Sequence, residues 1–304
     1  MKSMSLARLR LSPRWAPYLF LAPFVLLFAV FGVFALLFLL YLAFQSWEPT
    51  GGLDAMEFVA LENFAFALSD DWFWKSMAST LWLALLSGVP QHLVAIPLAA
   101  FIDRCCIRSR DVVAAAYFLP YITSTVAIAI MFSAIFSKDF GLVNSTLHGW
   151  LGMENIDWTG RSETLGPVVA AIVFWRYLGF NLVLYLAALQ TIPQDLYEAA
   201  RLDGASAFRQ FWHITLPSLK PMIFFGVTLS VIGGLQLFEE PFILTGGKGG
   251  ADQAVMTSAI YLYRMAFEFN DIGGASAMSW ILFVVVAILT WMTNRAFNAR
   301  EHRT

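Results

Sequence analysis

At 304 residues, with 59% hydrophobic and only 13% charged side chains, the chain carries about half the charge of an average soluble domain. Apolar runs recur from end to end, which excludes folding in water and points to an all-α, polytopic membrane protein. The net charge of −2 says little, because in a membrane protein the placement of charge matters more than its sum; no nucleic-acid partner is expected, and the adjacent Cys105 and Cys106 provide neither a disulfide framework nor metal-ligand spacing.

Six stretches are long enough to cross a hydrocarbon core of about 30 Å, which needs about 20 helical residues. They are expected at 17–44, 80–101, 112–136, 165–190, 221–244 and 275–296. Lys2, Arg8, Arg10 and Arg14 precede the first, as in a signal peptide. Its apolar run is too long for an h-region and no small-residue cleavage site follows, so it reads as a span that stays. The organisation is then a short tail (1–16), one six-span domain (17–297) and a second tail (298–304), without a soluble domain.

Positive charge sets the expected sidedness. One side holds Lys2, Arg8, Arg10, Arg14, Arg104, Arg108, Arg110, Arg201, Arg209, Lys220, Arg295, Arg300 and Arg303. The other holds Lys75, Lys138, Arg161, Lys248 and Arg264, while Arg176 falls inside a span. An asymmetry of 13 against 5 makes the first side cytoplasmic, with both termini inside. Trp47, Trp72, Trp74, Trp150 and Trp158 fall in the outer segments and suit an interfacial belt.

The polar segment 193–220 lies between the fourth and fifth spans, on the cytoplasmic side. Pro193 suits a helix start and Asp195 the positive end of a first turn. Gly204 is a natural helix stop, Ser206 a natural cap for a second helix, and Pro217 is expected to end that helix. Two short helices therefore meet at a sharp turn. Leu196, Ala200, Phe208, Phe211 and Trp212 give them apolar faces, a shape suited either to an interfacial loop or to insertion in a groove of another protein.

Polar groups inside a membrane are costly, so a pathway role is the default reading for Arg176, Asn181, Gln190, Gln236, Glu239 and Glu240. The alternative for Arg176 is an ion pair with Glu239 or Glu240 that ties helices together. Trp175, Tyr177, Phe180, Tyr185 and Phe238 are near enough in sequence to present aromatic faces to a sugar. The glycine-rich run 246–250 is not a phosphate-binding loop, because Phe242 replaces the first glycine of that motif and Gly249 follows Lys248 where Ser or Thr belongs.

Glu198-Ala199-Ala200, three residues, Gly204, nine residues, then Ile214-Thr215-Leu216-Pro217 resembles the EAA loop of binding-protein-dependent ABC importer permeases. The run from Leu189 to Tyr197, Phe140 to Asn144, and Asn63-Phe64 resemble the carbohydrate branch, specifically its MalF-like subunit. The resemblance spans nearly the whole chain. It implies a type I ABC importer permease fold in the bacterial inner membrane. It also implies a second homologous permease, an ATPase dimer and an extracytoplasmic sugar-binding protein as partners. No cofactor is expected on this chain, since ATP and Mg would be used by the ATPase.

By the same resemblance, Glu198, Ala199, Ala200, Asp203, Gly204, Ile214, Leu216 and Pro217 would form the ATPase-coupling element. Leu178, Gly179 and Leu182, with Gly233, Gly234 and Leu237, would line the sugar path beside Arg176, Asn181, Tyr185, Gln236, Glu239 and Glu240. The second set lacks the amides of the maltose-type member, which argues against maltose. Two rivals are an ion-coupled secondary transporter using Glu239 and Glu240, and a same-family permease for a solute such as glycerol phosphate. The first leaves the EAA pattern and the lack of an internal repeat unexplained. The second needs a basic cluster, and only Arg176 is available.

Overall fold

The computed structural model describes residues 14, 16–105 and 109–298. The expected tails fall largely outside this range, as do Cys106 and Arg108. Among the described residues, five helices are long and apolar enough to cross a membrane, and the number is six when a sharply bent pair is counted as one span.

Helices α1 (Ala16–Phe28) and α2 (Phe34–Leu42) are joined by a π turn, Ala29–Val33. Together they form a span of mean hydropathy 2.9 that is almost wholly exposed, as a lipid-facing helix must be. A two-residue antiparallel pair, β1 (Gln45–Ser46) with β2 (Glu57–Phe58), follows. Helix α3 (Glu62–Ser69) is fixed by Asn63, whose amide donates to the carbonyls of Ala43 and Gln45 at 3.1 and 2.9 Å.

Helix α4 (Asp71–Cys105) has 35 residues, roughly 52 Å at the helical rise, so it projects beyond the expected 80–101 at both ends. The expected single span 112–136 is instead two helices, α5 (Arg110–Ile122) and α6 (Thr125–Ile135), meeting at 93°. Pro120 removes a backbone donor in the last turn of α5, Thr123 is extended and Ser124 leaves the helical region, so the chain is redirected at the polar run Thr123-Ser124-Thr125. Outside this bend α7 (Leu142–Leu151) is held by Asn144. The Asn144 amide nitrogen donates to the carbonyls of Lys138 and Ile156, and its oxygen accepts from the Trp158 indole at 2.8 Å.

Helix α8 (Ser162–Leu189) is the centre of the bundle and packs against α4, α5 and α11 (Leu216–Leu235). Its core partners on α4 are small, Ala95 and Ala99, so the backbones approach closely around Leu182, Tyr185 and Leu189. Gly179 is required here, because a Cβ at that position would overlap the Tyr117 carbonyl of α5.

Helices α9 (Gln194–Leu202) and α10 (Ala207–Gln210) form a hairpin. Pro217 does not end the second helix as expected. A π turn, Phe211–Thr215, carries α10 into α11, and Pro217 sits in the first turn of α11, where a missing N–H is tolerated. The fifth span also breaks at its other end, between Leu235 and Glu239, before α12 (Glu239–Thr245). Helices α13 (Ser258–Phe267) and α14 (Ile272–Asn298) complete the bundle. At the end of the bundle that carries α3 and α13, the Tyr261 phenol donates to Asp70 at 2.5 Å, and burial together with that carboxylate holds the phenol above its ordinary pKa.

Candidate functional site

Two adjoining cavities lie where the broken helices meet α4 and α8. The inner one, about 280 Å³, is lined by Ser87 and Gln91 of α4, Phe180 and Asn181 of α8, and Gly233 and Gly234 of α11, among others. The outer one, about 550 Å³, is lined by Arg176, Gln236, Phe238, Glu239 and Glu240. Tyr121, Tyr177, Gly233 and Leu237 border both, so the two form one vestibule.

The outer chamber is organised by one cation. The Arg176 guanidinium donates to Glu240 at 2.6 Å and lies 3.4 Å from Glu239. Glu240 is buried, with its side chain 3% exposed, while that of Glu239 is 60% exposed. Thr125, the first residue of α6, donates to Glu239 at 2.5 Å. The break in the third crossing and the break in the fifth are therefore joined through one carboxylate. Tyr177 packs under the guanidinium, 5.5 Å from its ring centroid.

The inner chamber is organised by amides. Asn181 donates to Gln91 at 3.2 Å, and Gln91 donates to the Val173 carbonyl at 3.4 Å. The Asn181 carbonyl oxygen is buried and has no partner. Beside it, His92 bridges Tyr185 of α8 at 2.7 Å and Ser230 of α11 at 3.0 Å, joining three helices.

Of the expected path residues, Arg176, Asn181, Gly233, Gly234, Gln236, Leu237, Glu239 and Glu240 line this vestibule. Leu178, Leu182 and Tyr185 instead sit in the α4–α8 core, and Gly179 is the contact with α5. Gln190 caps the exposed end of α8. Among the aromatics, Tyr177, Phe180 and Phe238 reach the vestibule, while Trp175 packs edge-on against Phe132. Sequence reasoning missed Gln91, His92, Tyr121 and Thr125. Gln91 and His92 carried the signal that flagged Asn181, a polar side chain in the middle of a span.

The hairpin is built as its sequence requires. Helix α9 closes with a Schellman motif: Ala205 N–H bonds the Ala200 carbonyl at 2.8 Å and Gly204 N–H bonds that of Arg201 at 3.0 Å. Gly204 takes φ +76°, the left-handed region. The Ser206 hydroxyl accepts from the Arg209 amide and caps α10. Glu198, Ala199, Asp203 and Pro217 are exposed, whereas Ala200, Ile214 and Leu216 are half-buried. Around them Leu196, Leu202, Phe208 and Trp212 expose apolar surface, Leu202 to 90%. Tyr197 ties the hairpin to the bundle: its ring lies 5.1 Å from the Arg104 guanidinium of α4, and its hydroxyl is 3.0 Å from that of Thr215.

A bundle of broken spans around a vestibule that holds a few charged and amide side chains, with a helical hairpin at one end, fits a membrane permease component. A model of the family described as binding-protein-dependent transport system inner membrane component matches residues 95–302, and the chain belongs to that family. It is 34% identical over 284 residues to the arabinooligosaccharides transport system permease protein AraP of Bacillus subtilis (strain 168), covering 92% of this chain and 87% of that one. It is 32% identical over 289 residues to the lactose transport system permease protein LacF of Rhizobium radiobacter, covering 94% of each. Among solved structures it matches a chain of a bacterial alginate ABC transporter in complex with an alginate pentasaccharide-bound periplasmic protein. That match has a TM-score of 0.77 and 25% identity, over 92% of this chain and 93% of the other.

Proposed function

We propose that this chain is one of two membrane subunits of an ATP-driven sugar importer of the bacterial inner membrane, and that it lines half of the path. A second permease completes the path, an ATPase dimer using ATP and Mg docks on the hairpin 193–220, and a sugar-loaded binding protein delivers cargo from outside. The termini and the hairpin face the cytoplasm.

One observation supports this most strongly. The exposed hairpin and the vestibule are parts of a single helical run: Ala207 to Leu235 passes from the docking face, through a π turn, to Gly233 and Gly234. A displacement at one end is delivered to the other without crossing a loop. The relatives named above, sugar permeases at 34% and 32% identity, support the cargo class.

The test is uptake by the reconstituted importer. Uptake is expected to require ATP and to survive collapse of the proton gradient at constant ATP. Arrest by an uncoupler under those conditions would favour an ion-coupled carrier and overturn the proposal.

A further inference from the structure

We propose that the outer vestibule is an anion-excluding filter, so that the cargo is an uncharged sugar, with Glu239 as the residue that sets this selectivity. The inference rests on the sugar-importer reading and narrows its substrate class. Arg176 and Glu240, the shorter of the two contacts at 2.6 Å, neutralise each other. Glu239 is then the surplus charge, and its carboxylate is 60% exposed in the chamber. The chamber as lined by this chain therefore carries two acidic groups and one basic group among Arg176, Gln236, Phe238, Glu239 and Glu240.

The free hydrogen-bonding capacity points the same way. Asn181, only 1% exposed, borders the inner chamber, and its side-chain carbonyl oxygen is buried without a partner. Glu239 accepts from Thr125 and retains further lone pairs. Both groups are acceptors, and acceptors call for donors. Sugar hydroxyls donate, whereas a carboxylate, sulfonate or phosphate on the cargo presents only acceptors and adds like charge. The buried unpartnered donor here, the Arg176 Nε, lies on a side chain that both carboxylates already engage, and the other donors that line the chambers, the Gln236 amide and the Tyr121 and Tyr177 hydroxyls, are uncharged and do not offset Glu239. Tyr121 and Tyr177, which border both chambers, supply the apolar faces on which a neutral ring stacks.

The charge is measurable without knowing the sugar. In the assembled importer in nanodiscs, with Cys105 and Cys106 replaced by serine, a single reporter thiol is introduced as Gln236→Cys. Its rates with the cationic reagent aminoethyl methanethiosulfonate and the anionic reagent sulfonatoethyl methanethiosulfonate are compared with those of a free thiol in solution. The cation is expected to be favoured by roughly tenfold or more over the free-thiol ratio. Glu239→Gln is expected to bring the ratio back toward that of the free thiol, and Glu239→Asp to keep it. High ionic strength, which needs no variant, must lower it. Equal or faster reaction with the anion, or a ratio that Glu239→Gln leaves unchanged, overturns the filter. Neither result bears on whether uptake needs ATP, so failure of the filter and failure of the importer reading are separable.

Discussion

Arg176 donates to Glu240 at 2.6 Å, joining the middle of α8 to the first turn of α12. The two residues are 64 positions apart, and α12 is cut off from α11 by the break after Leu235. The pair therefore supplies the placement that a continuous helix would have given. Breaking one partner of a buried pair leaves an uncompensated charge and costs about 3–5 kcal/mol. Glu240→Gln is thus expected to lower the thermal midpoint of the purified importer markedly. Glu239→Gln, at an exposed carboxylate, is expected to cost no more than about 1 kcal/mol. Equal shifts for the two variants would contradict this division of roles.

Tyr185 is a structural tie. Its hydroxyl meets His92 at 2.7 Å, and a Cβ on Gly226 would approach that hydroxyl at 2.6 Å, so the group fills a notch between three helices. Tyr185→Phe leaves a half-buried imidazole nitrogen without its partner, at about 1 kcal/mol. The expected outcome is a lower thermal midpoint with an unchanged sugar concentration for half-maximal uptake. A raised half-maximal concentration at unchanged stability would return Tyr185 to the sugar path.

Gly179 sets the contact of α5 with α8. Gly179→Val has no room beside the Tyr117 carbonyl and must separate the helices or shift the backbone. Membrane yield of assembled importer should fall steeply. Gly233→Ala, where nothing lies within 4 Å of the added carbon, should be assembled normally. Similar yields for the two would show that the α5–α8 approach is not limiting.

Tyr197 contacts Arg104 of α4 and Thr215 of the π turn, the two contacts by which the proposed movement of the hairpin would reach the bundle. Tyr197→Ala removes both contacts. It is expected to leave basal ATPase activity intact while reducing its stimulation by sugar-loaded binding protein several-fold. Tyr197→Phe, which keeps the ring over Arg104, should fall between the two. Full stimulation in Tyr197→Ala would exclude this route.

The hairpin was legible in the sequence because its constraints are local. A Gly between two helix-forming runs, followed by a capping Ser, specifies the Schellman turn at Gly204 whatever the rest of the fold does. The bends were not legible. Residues 112–136 read as one apolar run because only Thr123, Ser124 and Thr125 interrupt it at the 93° turn, and hydropathy averaged over the run reports composition but not direction. Pro217 misled because the rule that proline stops a helix assumes α geometry, and the preceding π turn resets the register. In the vestibule, charge revealed Arg176, Glu239 and Glu240. Gln91 and His92 were overlooked inside a long apolar run, although they obey the same rule. Leu178, Gly179 and Leu182 were expected on the path from family resemblance alone, and here they are packing residues.

The central claim is that residues 193–220 receive force from an ATPase subunit. Gly204→Val and Glu198→Lys test it most directly. No atom lies within 4 Å of a Cβ built on Gly204, so the valine is penalised through the left-handed backbone alone, at about 1–2 kcal/mol, and tilts the two helices of the hairpin. Glu198 is exposed and forms no ion pair among the described residues, so its reversal alters the docking face without disturbing the bundle. The measurement is ATPase activity of the purified complex with and without sugar-loaded binding protein, beside recovery of the ATPase subunit on affinity-tagged permease. The account predicts a normally inserted chain with weakened recovery or lost stimulation in both variants. Normal recovery and normal stimulation in both would contradict it.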